Sequence, residues 1–121
     1  MSTQLIDLSL TEMQAGLRKG MFSSEELVRA FQQRIGEVEP RVHAFVTLLE
    51  KESLQAARAA DELFASARHA GSMEAMPPLL GIPIAVKDLV TVKGVRCTCG
   101  SPVLQNFVAP FTATAVQRLL D

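Results

Sequence analysis

Apolar side chains recur at helical spacing through the first part of the chain, and two similar capping sequences divide them. Ser9 and Glu12 have the spacing of a capping box, and Gly20 stands where a helix would end. Ser23 and Glu26 repeat this spacing immediately afterwards. The pattern predicts two helices joined by a tight turn, with inward faces formed by Leu10, Met13 and Leu17 in the first and by Leu27, Phe31, Ile35 and Val38 in the second.

The composition changes after this helix pair. Pro40 is expected to end the second helix, because proline has no backbone N–H to continue the ladder. Residues 43–49 (HAFVTLL) are rich in β-formers, so we predict a buried segment that is either a short strand or the lead-in to the next helix. Ala, Glu, Arg and Leu dominate residues 50–69, and Gly71 follows. This predicts a third helix whose inward face carries Leu54, Ala57, Phe64 and Ala67.

The most apolar stretch of the chain is residues 80–86 (LGIPIAV), which follows a loop predicted at residues 71–78 (GSMEAMPP). Pro83 favours an edge position or an irregular strand, because it cannot donate to a ladder. A second short β-like piece follows at residues 89–92. In a strand, the two faces would be Leu80, Ile82, Ile84 and Val86 on one side and Gly81, Pro83, Ala85 and Lys87 on the other.

The last part of the chain indicates an incomplete sheet domain. Residues 95–110 carry few charges and are predicted to be irregular but covered, and Thr112 is a plausible N-cap for a final helix with Ala113, Val116, Leu119 and Leu120 inward. A short final helix and a few strands do not make a stable sheet domain by themselves. We therefore expect an α/β fold that continues past this chain. Its N-terminal portion comprises a helical start at 1–70, a loop at 71–78 and a segment at 79–121 that contains the predicted strands and Lys87.

Composition excludes several classes of protein. The 121 residues are 48% hydrophobic and 21% charged, which is ordinary for a folded protein. The formal net charge of −1 shows no basic excess, so binding to nucleic acid or anionic lipid would need a local patch or another subunit. The N-terminus lacks a basic region followed by an apolar one, and no apolar run reaches the length of a membrane span. We predict a cytoplasmic protein.

Lys87 directly follows the apolar stretch, and lysine is rarely buried without a partner. It could simply mark the point at which the strand emerges into solvent, with Asp88 as a pairing partner. Alternatively, the small residues Gly81, Pro83 and Ala85 would leave room beside the lysine stem. Desolvation in that niche would favour the neutral amine, which can act as a general base near neutral pH. Asp88 could orient Lys87, cap the following turn or be solvated.

Cys97 and Cys99 are one residue apart, which is too close for a disulfide that staples a fold. His43 and His69 are distant in sequence, so no set of ligands has the spacing of a zinc site. We therefore predict free thiols, more often buried than exposed, and no metal.

Three consecutive stretches, residues 80–89 (LGIPIAVKDL), 91–94 (TVKG) and 95–101 (VRCTCGS), resemble the amidase signature family. Residues 104–114 (LQNFVAPFTAT) are similar to the form found in the glutamine-dependent amidotransferase branch of that family. The helix pair and the alanine-rich third helix also resemble the opening of these proteins. The resemblance therefore extends over essentially the whole chain and is strongest from residue 79 onward.

The resemblance implies a fold with a twisted mixed sheet flanked by helices, and catalysis by a lysine, a serine in a cis peptide and a nucleophilic serine. By motif match, Lys87 is that lysine. Its neutral amine would take a proton through the bridging serine and so activate the nucleophile to attack an amide carbonyl; water then hydrolyses the acyl-enzyme. The family takes both serines from a later Gly- and Ser-rich segment, and Ser101 matches neither. The resemblance thus implies that the present chain is inactive alone.

The amidotransferase resemblance further implies glutamine hydrolysis, with ammonia channelled onward within a complex that contains partner subunits B and C. ATP, Mg²⁺ and the misacylated tRNA would belong to the partner, and no cofactor is implied for this chain. Four residues depart from that branch: Leu89 for Asn, Cys97 for Thr, Ala109 for Pro and Thr112 for Asp. Because other amidases carry an apolar residue at the position of Leu89, a free-standing small-molecule amidase stays an alternative, as does a non-catalytic truncated product.

Overall fold

The computed structural model describes residues 5–121, which form two compact units. The first unit ends at Pro83 and the second comprises Ile84–Asp121.

The first unit contains the predicted helix pair, α1 (Leu10–Lys19) and α2 (Ser24–Val42). Both capping boxes are formed, because each serine hydroxyl accepts from the backbone of the glutamate three residues later while that glutamate accepts in return. Gly20 ends α1 in the left-handed conformation at φ 69°. The capping sequences were therefore sufficient to predict both helix starts and the turn between them.

Two details of this pair differ from the prediction. Leu10 is 50% exposed, whereas Met13 and Leu17 are buried as expected. Pro40 lies inside α2 and does not end it; His43, at φ 50°, is the residue at which the helix stops. A proline near the end of a helix removes a single backbone hydrogen bond, and the last turn is retained here.

The third predicted helix is α3 (Glu50–Ala70), which ends at Gly71 with φ 66°. Its buried side chains are mainly alanines, which let α2 and α3 pack closely against each other. Phe64 of α3 joins Met13, Leu17 and Leu27 in the buried core of the unit. The partly buried apolar side chains that pack against this core are Leu5, Leu8, Phe22, Phe31, Met73, Met76, Leu80 and Ile82.

Residues 43–49, between α2 and α3, are irregular, and the prediction that they are buried is wrong. The exposed fractions of Phe45, Val46 and Leu48 are 40%, 52% and 44%. The β-forming composition of the segment did not produce a strand, because the segment makes no ladder with another part of residues 5–121.

Polar side chains of α1 hold the segment that follows α3. The Arg18 guanidinium donates to the carbonyl oxygens of Met73 (3.0 Å) and Met76 (2.9 Å), and the Gln14 amide donates to Pro78 O (2.8 Å). The predicted loop contains one turn of 3₁₀ helix at Met73–Ala75. These bonds place Met73 and Met76 against the core.

No β-strand occurs within residues 5–121, so the strands predicted at 80–86 and 89–92 are wrong for this chain. Residues 82–87 are irregular and have no ladder partner, and a turn follows at residues 88–90. The described residues thus do not support the sheet of the predicted α/β fold class. The apolar composition of residues 80–86 reflects packing of Leu80 and Ile82 against the helical core.

The second unit consists of long loops joined by backbone hydrogen bonds. Gly94 N–H donates to Ala109 O (2.9 Å), Ala109 N–H returns a bond to Val95 O (3.0 Å), and Cys97 N–H donates to Phe107 O (3.0 Å). One isolated antiparallel bridge joins Arg96 and Val108. A turn of 3₁₀ helix at Pro102–Leu104 and the short helix α4 (Thr114–Leu120) complete the unit.

Several predictions for this unit need correction. Thr112 does not cap α4, whose N-cap is Ala113; the Thr112 hydroxyl instead accepts from Lys93 N–H at 3.0 Å. Of the predicted inward residues, Val116 is buried, but Leu119 and Leu120 are 49% and 61% exposed. The stretch 95–110 is only partly covered: its buried residues are Cys97, Thr98 and Ala109, and its exposed apolar residues are Val103, Phe107 and Val108.

Candidate active site

Lys87 is the last residue of the irregular segment 82–87, and its carbonyl group begins a turn. The carbonyl oxygen of Lys87 accepts a hydrogen bond from Val90 N–H at 2.9 Å. The side chain of Lys87 is exposed. Since residues 80–86 are not a strand, the alternation that would put Gly81, Pro83 and Ala85 beside the lysine stem does not apply. Residues 5–121 therefore do not bury this amine in the predicted dry niche.

Asp88, the next residue, is bound through both its side chain and its main chain to a loop ten residues away. Its carboxylate accepts from Thr98 N–H at 2.7 Å and also from the Thr98 hydroxyl. Its carbonyl oxygen accepts from Cys99 N–H at 2.9 Å. The structure therefore assigns Asp88 a role that the sequence did not single out among its options: it caps a distant loop.

The loop that Asp88 holds has an unusual backbone. Cys99 and Gly100 have successive positive φ angles of 52° and 67°, which turn the chain sharply. Gly100 N–H donates to the Thr98 hydroxyl at 3.2 Å, and Ser101 N–H donates to Thr98 O at 2.9 Å. Thr98, which is 6% exposed, thus lies at the centre of a network that connects the turn after Lys87 to this loop.

The hydrogen bonds of this network change the pKa of the Asp88 carboxyl group. Hydrogen bonds from the Thr98 side chain and backbone lower the pKa of the Asp88 carboxyl below its ordinary value, and the positive charge of Arg96 contributes in the same direction. These hydrogen bonds favour the carboxylate form of Asp88, and both of its side-chain oxygens accept from Thr98.

Sequence analysis missed Thr98. It is a buried polar residue between two cysteines, and no periodic pattern distinguishes it from its neighbours. Only the backbone fold brings it to Asp88 across an interval of ten residues. The contact between the buried threonine and the aspartate can therefore be recognised only from the three-dimensional structure.

The two cysteines differ in environment. Both are free thiols, as predicted, but Cys97 is buried and Cys99 is exposed. Burial raises the pKa of the Cys97 thiol, and the neighbouring Cys99 adds to this effect. Among the residues that the structure describes, no group of three or more His, Cys, Asp or Glu side chains has an arrangement that could hold a metal ion.

No helix within residues 5–121 has the length and apolar content needed to span a bilayer.

In a comparison with known protein families, the model of the amidase family matches residues 26–121. The chain is 46% identical over 114 residues to the A subunit of the glutamyl-tRNA(Gln) amidotransferase of Pseudomonas entomophila. It is 44% identical over 111 residues to the corresponding protein of Alcanivorax borkumensis. These alignments cover 94% and 92% of this chain but only 22% of each relative, so the chain spans about a fifth of their length.

A solved structure gives a similar result. It was described as an unexpected vestigial protein complex that reveals the evolutionary origins of an s-triazine catabolic enzyme, and one of its chains superposes with a TM-score of 0.75 at 28% sequence identity. The superposition covers 93% of the present chain and 23% of that chain.

Proposed function

Because this chain belongs to the amidase family, we propose that it is part of an amide-hydrolysing enzyme, the glutamine-hydrolysing A subunit of a glutamyl-tRNA(Gln) amidotransferase. That enzyme component would release ammonia for the conversion of Glu-tRNA(Gln) to Gln-tRNA(Gln). The observation that carries the proposal is the 44% to 46% identity to curated A subunits over nearly the whole chain.

In this proposal Lys87 supplies the proton-accepting amine. The neutral amine takes a proton from a bridging serine, which takes one from the nucleophilic serine as that oxygen bonds to the amide carbon. The C–N bond then breaks, the nitrogen leaves as ammonia after it gains a proton, and water hydrolyses the ester to a carboxylate. Both serines lie outside the 121 residues, so this chain alone is proposed to be inactive.

The exposure of Lys87 in this chain is compatible with that role only if further protein covers the amine. A general base needs the neutral amine, and desolvation favours that form. The proposal therefore includes a desolvated environment supplied by the remainder of a family-length protein.

The partners belong to the same proposal. Subunits B and C would complete the enzyme, with ATP, Mg²⁺ and tRNA held by the partner, and the present chain would carry no cofactor. The formal charge of −1 supports tRNA contact through a different chain, since phosphate contacts require basic side chains. The reaction would take place in the cytoplasm.

The proposal is tested by ammonia release from glutamine, measured for the full-length protein that contains these residues with and without the two partner subunits. We expect activity that depends on the partners and that Lys87→Ala lowers by about 10² to 10⁴-fold, the usual contribution of general acid–base catalysis. Lys93→Ala is the matched control, because Lys93 is an exposed lysine of the same unit. Unchanged turnover in Lys87→Ala would contradict the assignment.

A free-standing amidase that acts on a small carboxamide is the second candidate. The residue that favours it is Leu89, which stands where the amidotransferase branch usually has Asn. Turnover of simple amides in the absence of both partners, at rates above those for glutamine, would support this candidate over the first.

A further inference from the structure

The side chain of Lys87 has a long flexible stem, so its position depends on how firmly the backbone at its base is held. Reactive groups lose much of their rate when displaced by small distances, and about 1 Å can cost roughly 10²-fold. A general base on a flexible side chain therefore needs a rigid backbone at the residue that carries it.

The backbone on the C-terminal side of Lys87 is fixed by Asp88. The Asp88 carbonyl accepts from Cys99 N–H at 2.9 Å, and its carboxylate accepts from both the N–H and the hydroxyl of Thr98. The turn that Lys87 itself begins is closed by Val90 N–H at 2.9 Å. Main-chain and side-chain bonds thus act together at the residue that follows the lysine.

The same bonds occupy the Asp88 carboxylate. Asp88 is adjacent in sequence to Lys87, and an ion pair between them would favour the charged ammonium, which is not a base. The carboxylate is instead bound by the buried Thr98, whose hydroxyl also accepts from Gly100 N–H at 3.2 Å. The network therefore orients the negative charge towards the loop at residues 98–100.

We propose that Asp88 and Thr98 are positioning residues for Lys87, which act by clamping the turn after the lysine to the loop at residues 98–100. Neither residue is assigned contact with substrate. The inference rests on the proposed function in one respect: it takes Lys87 to be the reacting amine.

The test uses the full-length enzyme with its partner subunits and compares Thr98→Val with Thr98→Ser. The valine side chain has the shape of threonine but can neither donate to Asp88 nor accept from Gly100. The backbone N–H at position 98 is kept in both variants, and serine also retains the hydroxyl. We expect Thr98→Val to lower kcat by about 10 to 10²-fold with KM within about twofold, and Thr98→Ser to restore most of the loss. Asp88→Asn, which weakens the same bonds, should behave like Thr98→Val.

The matched control is Thr112→Val. It removes another threonine hydroxyl that accepts a backbone hydrogen bond in the same unit, from Lys93 N–H at 3.0 Å, but it leaves the Asp88 bonds intact. We expect a kcat near that of the unmodified enzyme. If Thr112→Val lowered kcat as much as Thr98→Val, or if Thr98→Val left kcat unchanged, the positioning role would be overturned.

Failure of the proposed function gives a different result. The enzyme could hydrolyse another carboxamide but not glutamine, with kcat lowered by Thr98→Val and largely restored by Thr98→Ser. That result would contradict the amidotransferase assignment and support the positioning role of Asp88 and Thr98. An enzyme that hydrolyses no carboxamide would overturn both.

Discussion

Asp61 in the middle of α3 caps the start of α2 by accepting from the backbone of Ser24. The distance from Ser24 N to Asp61 Oδ1 is 2.7 Å, and Glu25 N–H donates to the other carboxylate oxygen at 3.0 Å. Ser24 is fully buried, and its hydroxyl donates to Gly81 O at 2.6 Å. The first turn of α2 is thereby joined both to α3 and to the segment that leads out of the unit.

Asp61→Ala is expected to destabilise the first unit. Two N–H groups at the start of α2 would lose their acceptor where little water can replace it, at a cost of about 1–3 kcal/mol in the free energy of unfolding. Urea unfolding followed by circular dichroism would measure the loss. Glu62→Ala, at the exposed neighbouring position, is the control and should stay within about 0.5 kcal/mol of the parent. Equal effects of the two substitutions would refute the capping role.

The free energy of unfolding should fall in acid as the carboxylate of Glu25 becomes protonated. Hydrogen bonds from Arg58, and secondly from Arg29, lower the pKa of Glu25 from 4.5 to about 2. Because the folded-state pKa is the lower one, these bonds stabilise the fold above pH 4.5, and their contribution is lost as the pH falls from 4.5 towards 2.

Arg58→Met removes the larger cause of this shift, so the loss of stability between pH 4.5 and 2 should become shallower. Unfolding measured at a series of pH values would show the change in slope. Arg34→Met is the control, because Arg34 pairs with Glu37 at 3.6 Å on an exposed helix surface. An unchanged slope in Arg58→Met would contradict the prediction.

Alanine substitutions at Gly81 and Gly71 distinguish the cost of a left-handed backbone from the cost of a close side-chain contact. Gly81 has φ 76°, and a Cβ atom there would lie 3.0 Å from Ser24 Oγ and 3.2 Å from the Phe64 ring. Gly81→Ala should therefore cost more than the about 1–2 kcal/mol that a left-handed alanine costs alone. Gly71→Ala, at φ 66° with open space around it, gives the strain without the contact. Thermal unfolding of the two variants would test whether Gly81→Ala is the more destabilised.

The cysteines should react at different rates. Iodoacetamide under native conditions is expected to modify the exposed Cys99 about tenfold or more faster than Cys97, since burial both blocks access to Cys97 and raises the pKa of its thiol. Peptide mass spectrometry would resolve the two sites, and both should react alike in denaturant. Similar native rates would show that the loop at residues 97–99 opens readily.

Local sequence signals determined the helical part of this protein. The capping boxes at Ser9 and Ser23 and the glycine at position 71 predicted helix ends correctly, because the groups that form these ends lie within a few residues of each other. The motif that contains Lys87 indicated the family for a similar reason, since its residues are contiguous.

Only the tertiary structure decided the remainder. Strand formation in residues 80–86 depended on a neighbouring strand that residues 5–121 do not provide, so this apolar stretch is a turn followed by an irregular segment. The pairing of Asp88 with Thr98, and of Asp61 with Ser24, joins residues 10 and 37 positions apart. Side chains that meet across such intervals leave no periodic trace in the sequence, because the backbone path between them fixes the contact.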